Sequence, residues 1–242
     1  MTLLSVNLNK VALLRNSRGH DLPNVLHAAQ TAIAAGAQGI TMHPRPDARH
    51  ATFADVRDLK AAIDVELNVE GYPTPTFLDL MLEVKPAQCT LVPHDPDQLT
   101  SDHGWDLVAS GEFLAPILSR LKEVGVRVSL FMDPTPGAIG QAKKLGADRI
   151  ELYTESYASA YASGNYDSVL QQFIASARAA REAELGINAG HDLNQQNLGA
   201  LLDAIPDIAE VSIGHALISE ALYDGLSPTV RAYAAICARK RP

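Results

Sequence analysis

Eight short runs rich in β-branched and other apolar residues alternate with helix-length amphipathic segments along the whole chain. This alternation is typical of parallel strands joined by crossover helices. Eight strand–helix units favour an α/β fold, a closed (β/α)8 TIM barrel with extra helices, over an open doubly wound sheet. Neither a Gly-x-Gly-x-x-Gly turn after the first run nor a Gly-Lys-Ser/Thr motif occurs, which excludes the main dinucleotide and P-loop alternatives.

The predicted elements follow directly from these runs. Strands are predicted at 3–8, 39–43, 65–70, 88–92, 127–132, 149–153, 186–189 and 210–213. Helices are predicted at 23–35, 53–63, 75–84, 112–124, 136–145, 166–184, 195–203 and 216–223, with a further one near the C-terminus. In a barrel the carboxyl ends of all strands meet on one face, where catalytic groups collect.

Length and composition limit the class of protein. A chain of 242 residues without a Ser/Gly-rich, Pro-rich or charge-block linker is expected to form a single barrel domain over 1–242. The net charge of -8 argues against nucleic acid or an anionic membrane as partner.

No stretch approaches the roughly 20 apolar residues of a membrane span, so a cytoplasmic protein is expected. Cys89 and Cys237 are expected to be reduced structural thiols.

Polar side chains recur at the carboxyl ends of the predicted strands. The interior of a barrel is mostly apolar, so charged groups at its mouth must be solvated or matched to a ligand. These strand-end residues are Asn7, Asn9, His43, Arg45, Glu70, Glu151, His191 and His215. They predict an active site on this face.

Three of these residues carry groups that could transfer protons. Pro44 holds His43 at its strand end, where it could act as acid or base, with a satisfied core histidine as the alternative. Burial would raise the pKa of Glu70 and suit it to general base catalysis, with a structural salt bridge as the alternative. Glu151 lies one residue deeper in its strand, where an ion pair is the favoured interpretation.

Two predicted strands near the C-terminus end on the same dipeptide, Gly190-His191 and Gly214-His215. The loops and helix N-termini after strands seven and eight of a barrel often bind phosphate through backbone N–H groups and the helix dipole. The two dipeptides therefore predict an anion site next to a proton carrier.

Two basic segments offer further anion sites. Arg45, Arg49 and His50 crowd the loop after the second predicted strand, with a solvated turn as the alternative. Arg15 and Arg18 follow the first strand and could clamp an anion bidentately, with surface solvation as the alternative. No spacing of histidines and carboxylates signals a metal, so no metal site is expected.

The connection 93–111 is longer than structureless loops usually are in compact domains. It follows the fourth predicted strand on the active face. Gly104 and Gly111 could act as hinges and Trp105 as an apolar plug. We therefore predict a lid over the substrate, with an ordered surface loop as the alternative.

An ordered set of motifs resembles the pyridoxine 5'-phosphate synthase family over essentially the whole chain. The motifs are Val-Asn-Leu-Asn-Lys-Val-Ala-Leu-Leu-Arg-Asn-Ser-Arg-Gly at 6–19, Gly-Ile-Thr-Met-His-Pro-Arg-Pro-Asp-Ala-Arg-His at 39–50, Leu-Asn-Val-Glu at 67–70, Val-Ser-Leu-Phe-Met-Asp at 128–133, Asn-Ala-Gly-His at 188–191 and Ser-Ile-Gly-His-Ala at 212–216. The resemblance implies a (β/α)8 barrel that condenses 3-amino-2-oxopropyl phosphate with 1-deoxy-D-xylulose 5-phosphate. The products are pyridoxine 5'-phosphate, inorganic phosphate and water, and no metal or redox cofactor is required.

The resemblance also implies roles for individual residues. His43 and Glu70 would accept protons, His191 would donate one, and Glu151 would stabilise the transition state. The residues implied to hold the deoxyxylulose phosphate are Arg45, His50 and Thr100. Those implied to hold the amino ketone phosphate are Asn7, Arg18, the backbone after His191, Gly214 and His215.

The chain departs from the family pattern at two places. Where the more familiar pattern reads Asn-x-Asp-His after the first strand, this chain has Asn9 and Lys10 in the last two positions. Their amide and ammonium could still bind hydroxyl and phosphate groups of the sugar phosphate. Asp192 follows His191 in place of glycine, and we expect its side chain to turn away from phosphate and cap the next helix.

Alternatives to a synthase remain open at this point. Another cofactor-free barrel, an epimerase or aldolase acting on a sugar phosphate, would need a metal cluster or a strand-end lysine, for which Lys10 is the only candidate. A non-catalytic barrel that senses phosphorylated metabolites would lack the acid and base residues. The family also implies a homo-oligomer in which dimers assemble up to an octamer.

Overall fold

The computed structural model describes residues 1–93 and 102–239. Within them, eight parallel strands close into a barrel in the order β1-β2-β3-β4-β5-β6-β7-β8. The strands are β1 (Leu3–Asn7), β2 (Gly39–Met42), β3 (Glu66–Gly71), β4 (Gln88–Leu91), β5 (Arg127–Met132), β6 (Arg149–Tyr153), β7 (Gly186–Gly190) and β8 (Ile208–Ile213). The described helices are α1 (Asn9–Asn16), α2 (Val25–Ala34), α3 (Phe53–Ala62), α4 (Pro75–Val84), α5 (Leu107–Glu123), α6 (Pro136–Lys144), α7 (Glu155–Ala162), α8 (Asp167–Glu182), α9 (Leu198–Ala204), α10 (His215–Asp224) and α11 (Leu226–Ala238).

The predicted (β/α)8 TIM barrel is confirmed. Strand β1 closes the sheet by pairing with β2 on one side, where Asn7 aligns with Thr41, and with β8 on the other, where Val6 aligns with Ile213. Each strand turns alternate side chains outward, and outward residues such as Val6 and Ile40 join the helices in the hydrophobic core.

The barrel interior is polar, unlike the branched apolar layers of a typical barrel. The hydroxyl oxygens of Ser5 and Thr41 lie 2.7 Å apart. The Thr90 hydroxyl donates a hydrogen bond to the side-chain oxygen Oδ1 of Asn68 at 3.0 Å. These bonds satisfy groups that would otherwise be costly to bury. The buried middle layer consists of Ser5, Thr41, Asn68, Thr90, Ser129, Glu151, Asn188 and Ser212.

Paired charges occupy the amino end of the barrel. Arg127 donates through Nη1 to the Glu66 carboxylate at 3.2 Å. Nη1 of Arg149 donates a hydrogen bond to the side-chain oxygen Oδ1 of Asn188 at 3.0 Å. The same atom lies 3.4 Å from Oε2 of Glu210. Because these groups satisfy one another, the groups available for a ligand lie at the carboxyl ends of the strands.

The sequence did not predict α1 and α7. Both have eight residues and begin at the second residue after a strand, at Asn9 and Glu155. Neither has a side-chain hydrogen bond at its N-cap. The usual signals that mark a helix start are therefore missing from both.

Helix α5 begins at Leu107, earlier than the predicted start at 112. The Asp106 carboxylate accepts hydrogen bonds from the N–H groups of Val108 and Ala109, which fixes this start. Gly111 consequently lies inside the helix and is not a loop hinge.

Trp105 lies in the non-helical segment before α5 and is buried, and its Nε1 donates to the backbone carbonyl of Leu91 at 2.9 Å. A Cβ on Gly104 would lie 2.6 Å from Met132 Cα, so close packing explains this glycine and a hinge is not needed. The central part of the predicted lid, 94–101, lies outside the described residues.

Two predictions concern the chain as a whole. The single domain over 1–242 includes 94–101 and 240–242, which lie outside the described ranges, and it stays a prediction. Among the helices of the described ranges, none is long and apolar enough to cross a membrane.

Candidate active site

A cavity of about 370 Å³ opens at the carboxyl ends of the strands. Its volume falls within the roughly 300–1,000 Å³ that is usual for small-molecule sites. The predicted site residues that line it are Asn7, Asn9, Lys10, His43, Arg45, His50, Glu70, His191, Asp192, Gly214 and His215. The strand-end pattern thus identified residues that the fold brings together.

Two predicted residues of the described ranges do not line this cavity: Arg18 is exposed beyond the end of α1, and Glu151 lies deeper in the barrel. Thr100 lies outside the described residues. The Arg15 guanidinium pairs with the Asp55 carboxylate, with Nη2 and Oδ2 2.9 Å apart, whereas an anion-binding role of Arg18 stays a prediction.

Glu70 and His43 form a buried pair in which carboxylate Oε2 lies 3.6 Å from imidazole Nδ1. Burial raises the pKa of Glu70 above its ordinary value, as predicted. The charge of His191 when it is protonated, the charge of Arg45 and a hydrogen bond with Ser212 oppose this rise without cancelling it. A carboxyl group that titrates closer to neutral pH is suited to general base catalysis.

Asparagine side chains after β1 fix the backbone of His43. The N–H of His43 donates to Oδ1 of Asn9 at 2.9 Å. The N–H of Asn9 in turn donates to Oδ1 of Asn7 at 3.0 Å. Asn9 therefore holds the end of β2, and its predicted contact with substrate stays a prediction.

One wall of the cavity is basic. Burial lowers the pKa of His50 to about 3, and the charges of His43, Arg45 and Lys10 act in the same direction. Nδ1 of His50 accepts a hydrogen bond from the N–H of Ala51 at 2.8 Å, so its ring proton is on Nε2. The wall therefore combines two cations with a neutral N–H donor, which suits a phosphate group.

His191 and Asp192 both adopt left-handed backbone conformations, with φ of 77° and 58°. Each such residue costs on the order of 1–3 kcal/mol unless its surroundings enforce it. The His191 ring packs against the rings of Phe131 and Tyr153, with centroids 5.0 and 5.4 Å away. Burial lowers the pKa of His191, so its imidazole is neutral at pH 7.

Asp192 does not cap the next helix, contrary to the prediction. Helix α9 begins at Leu198, and Asn197 occupies its N-cap position. The Asn197 amide donates to the backbone carbonyl of Asp192 at 3.2 Å. An irregular turn thus separates Asp192 from the helix, and its charge partly offsets the lowered pKa of His191.

The glycines of the two Gly-His dipeptides make room for site residues. A Cβ on Gly190 would overlap Oε1 of Glu151 and lie 3.3 Å from the Ser212 carbonyl oxygen. A Cβ on Gly214 would lie 3.1 Å from Cβ of Asn7. A side chain at Gly190 would displace a neighbouring residue, and one at Gly214 would press on Asn7.

Glu151 is buried beneath the cavity floor. Burial raises the pKa of its carboxyl group well above the ordinary value, the nearby Glu70 and Glu210 carboxylates add to the rise, and a hydrogen bond with Thr90 opposes it. Within 1–93 and 102–239, no basic side chain forms an ion pair with Glu151, so the favoured ion pair is not formed there. This burial favours the protonated form of the carboxyl group, which can donate a hydrogen bond.

Helix α10 begins at the cavity. Gly214 precedes its first residue, His215, without a side-chain cap, and both residues line the cavity with Ala216. The first N–H groups of a helix lack partners within it and carry the positive end of its dipole. The start of α10 is therefore suited to hold a second phosphate group.

Comparison with known proteins agrees with this geometry. The family model of the pyridoxal phosphate biosynthesis protein PdxJ matches residues 4–239. The chain belongs to this family. The pyridoxine 5'-phosphate synthase of Bacteroides thetaiotaomicron is 53% identical over 233 residues, which cover 96% of this chain and 98% of that protein. The synthase of Xylella fastidiosa strain M23 is 53% identical over 242 residues, with 96% and 93% covered.

Solved structures share the barrel of this PdxJ-family chain at low sequence identity. A phosphoribosylanthranilate isomerase from Thermotoga maritima is 12% identical with a TM-score of 0.62, and 98% of each chain is covered. A tryptophan synthase from M. tuberculosis is 12% identical with a TM-score of 0.64, with 98% of this chain and 93% of that chain covered. These likenesses show the fold alone.

The site of this PdxJ-family barrel also contains residues that the sequence analysis missed. Tyr153, Leu193 and Ser212 line the cavity. Tyr153 lies two residues after Glu151, and Ser212 two residues before Gly214, so strand alternation could have assigned both to the interior. Leu193 lies in the irregular turn before α9, where no periodic signal exists.

Proposed function

We propose that this protein is a pyridoxine 5'-phosphate synthase. It condenses 3-amino-2-oxopropyl phosphate with 1-deoxy-D-xylulose 5-phosphate and releases pyridoxine 5'-phosphate, inorganic phosphate and water. Membership of the PdxJ family and the named relatives support this proposal. The observation that carries it is the buried Glu70–His43 pair in a cavity whose walls suit phosphate groups.

The proposed reaction explains the crowding of acids and bases. Attack of an amine on a ketone, dehydration, loss of phosphate and ring closure require several proton transfers in both directions. Glu70 and His43 accept protons. His191 donates one, and a phosphate dianion beside its neutral imidazole favours the protonated form that this role needs. The carboxyl group of Glu151, whose protonated form is favoured by burial, stabilises negative charge that develops above it.

The two phosphate groups have separate proposed sites. The basic wall of Lys10, Arg45 and His50 holds the sugar phosphate, together with Asn9 and Thr100. The start of α10 holds the amino ketone phosphate. Its proposed ligands are Asn7, Arg18, the backbone of Asp192, Gly214 and His215.

A coupled assay tests the proposed function. Purified protein given both substrates is expected to form pyridoxine 5'-phosphate, detected by absorbance and mass, and to release an equal amount of inorganic phosphate. Omission of either substrate serves as the control and should give no product. Folded protein that forms no product with both substrates would contradict the assignment.

The pH dependence of kcat/KM should report the raised pKa of Glu70. A base must be deprotonated to act, and burial raises the pKa of Glu70 above its ordinary value of 4.5. We therefore expect kcat/KM to fall, as the pH is lowered, at a pH clearly above 4.5. Initial rates from about pH 4 to about pH 9 give the profile, and thermal unfolding at each pH identifies any loss due to unfolding. An acid limb centred at or below the ordinary glutamate range would argue against Glu70 as the base.

Replacing Lys10 with methionine should weaken binding of the sugar phosphate. A hydrogen bond to a charged group contributes about 1.5–3 kcal/mol, so we expect KM for 1-deoxy-D-xylulose 5-phosphate to rise about tenfold or more. KM for the amino ketone phosphate and kcat should change much less. Lys143→Met is a matched control, because Lys143 lies in the last turn of α6 and bonds the Glu184 carbonyl. Equal KM values for Lys10→Met and the parent would remove Lys10 from the phosphate site.

We also propose that copies of the chain associate as dimers that assemble up to an octamer. Leu13, Leu14 and Leu22 are 43%, 51% and 75% exposed around the end of α1, and a subunit contact would bury them. Light scattering on the purified protein measures the mass directly. A monomer at micromolar concentration would contradict this proposal.

We further propose that the protein acts in the cytoplasm. Cys89 and Cys237 are buried thiols outside any disulfide, which suits a reducing compartment. Cell fractionation followed by detection of the native protein tests this, and recovery from an extracytoplasmic fraction would contradict it.

A further inference from the structure

The turn that carries His191 is tied to the neighbouring strand–helix connection. Thr154 directly follows β6 and is fully buried. Its hydroxyl donates to the backbone carbonyl of Gly190 at 2.6 Å and also contacts that of His191. The N–H of Thr154 donates to the same Gly190 carbonyl at 3.0 Å.

Thr154 occupies the N-cap position of α7 but does not cap that helix with its side chain. Threonine at this position commonly accepts a hydrogen bond from an N–H group in the first helical turn. Here the hydroxyl donates across to the end of β7. The Thr154 hydroxyl therefore stabilises the turn at His191 instead of the first turn of α7.

A second contact from α7 braces the same turn. The hydroxyl of Tyr157 is buried and donates to the Asn197 carbonyl at 2.8 Å. The Asn197 side chain then donates to the Asp192 carbonyl at 3.2 Å. The turn is therefore held at both ends by groups that the proposed reaction does not use.

This bracing matters because His191 and Asp192 both have left-handed backbone conformations. Such conformations persist only where the surroundings enforce them. Relaxation of the His191 backbone would swing its ring away from the rings of Phe131 and Tyr153, which it now contacts. The position of the His191 imidazole therefore depends on the contacts that hold the backbone of His191 and Asp192.

We propose that Thr154 is a positioning residue for His191, whose hydroxyl holds the Gly190 and His191 carbonyls so that the imidazole faces the substrate cavity. This proposal rests on the proposed function for its effect on turnover. Its effect on the imidazole itself does not depend on which reaction occurs.

Kinetics test the effect on turnover. Thr154→Val removes the hydroxyl at nearly constant shape, and we expect kcat for pyridoxine 5'-phosphate formation to fall about 10- to 100-fold, the scale of a small misplacement of a reacting group. Thr154→Ser keeps the hydroxyl and should restore most of the rate. In a His191→Asn background, Thr154→Val should cause little further loss, because the group it positions is already gone. A kcat within about threefold of the parent, or a fully additive loss in the double variant, would overturn the proposal.

Thr229→Val is the matched control. Thr229 is buried, and its hydroxyl donates to the Gly225 carbonyl at 2.9 Å in α11. The Thr229→Val variant loses a hydrogen bond from a hydroxyl to a backbone carbonyl, as Thr154→Val does, but outside the cavity. Its kcat should therefore match that of the parent even if its melting temperature falls.

An NMR titration of the His191 imidazole separates this proposal from the proposed function, because it needs no turnover. The parent should show a pKa below 6.5, and spectra of His191→Asn assign the signal. In Thr154→Val we expect the ring signals to shift and the pKa to move towards 6.5, whereas Thr154→Ser should resemble the parent. Unchanged ring signals in Thr154→Val would overturn the positioning role even in an active enzyme. If Thr154→Val shows these shifts but the parent forms no product, the synthase assignment alone would be overturned.

Discussion

Glu70→Gln is expected to reduce kcat by about 10²- to 10⁴-fold, the usual contribution of general acid–base catalysis. Glutamine keeps the size of the side chain and can still bond Ser212, but it cannot accept a proton. Since the phosphate sites lie on other residues, KM for both substrates should stay within a few-fold of the parent. Steady-state rates with each substrate varied in turn provide the measurement.

Glu83→Gln is the matched control for this experiment. Glu83 lies in α4 on the outside of the barrel, where it pairs with Arg57 at 2.7 Å and about half of its side chain is exposed. Its kcat should equal that of the parent. A Glu70→Gln enzyme with parental kcat would remove Glu70 from the mechanism.

Gly190→Ala is expected to impair both folding stability and turnover. The new Cβ would overlap Oε1 of Glu151 and press on the Ser212 carbonyl, in an interior where neither neighbour can move into solvent. Overpacking of this kind typically costs about 1–3 kcal/mol of unfolding free energy. Because the displaced residue lies under the cavity and the next residue is His191, kcat should fall about 100-fold.

The control for the steric argument is Gly199→Ala. Gly199 lies in α9, and a Cβ there would lie 3.6 Å from Nη1 of Arg239, an ordinary contact. Alanine favours a helix over glycine by about 1 kcal/mol, so this variant should be as stable as the parent or more stable, with the parental kcat. Chemical denaturation and steady-state rates measure both properties. Parental stability and rate in Gly190→Ala would show that the glycine is not required there.

The secondary structure was predictable where the pattern was long and periodic. The eight strands were found with small errors at their ends, because β-branched runs bounded by helices leave few alternatives. Helices α1 and α7 were missed because each has only eight residues, follows a strand almost directly and lacks a capping side chain. The early start of α5 was missed although Asp106 is a recognisable cap.

Site residues at the carboxyl ends of strands could be predicted, because these ends must meet on one face of a barrel. Every parallel strand of a barrel delivers its last residues to one face, so residues far apart in sequence such as His43 and Glu70 become neighbours. Strand position gave no choice between the alternatives for Arg15, whose partner Asp55 lies on α3. The predicted helix cap by Asp192 was wrong, because an irregular turn without periodicity separates this residue from α9.

By itself, the sequence determined the barrel and the face on which its polar strand ends meet, since these follow from strand alternation and chain direction, and the family resemblance added further residues that line the cavity. Only the tertiary structure decided how those residues behave. The raised pKa values of Glu70 and Glu151 depend on burial and on neighbouring charges. The close approach of Gly190 to Glu151 and the hydrogen bond from Thr154 to the Gly190 carbonyl depend on contacts between different segments of the chain. Such contacts arise when separate segments pack within a few ångströms, a distance that spacing along the chain does not encode.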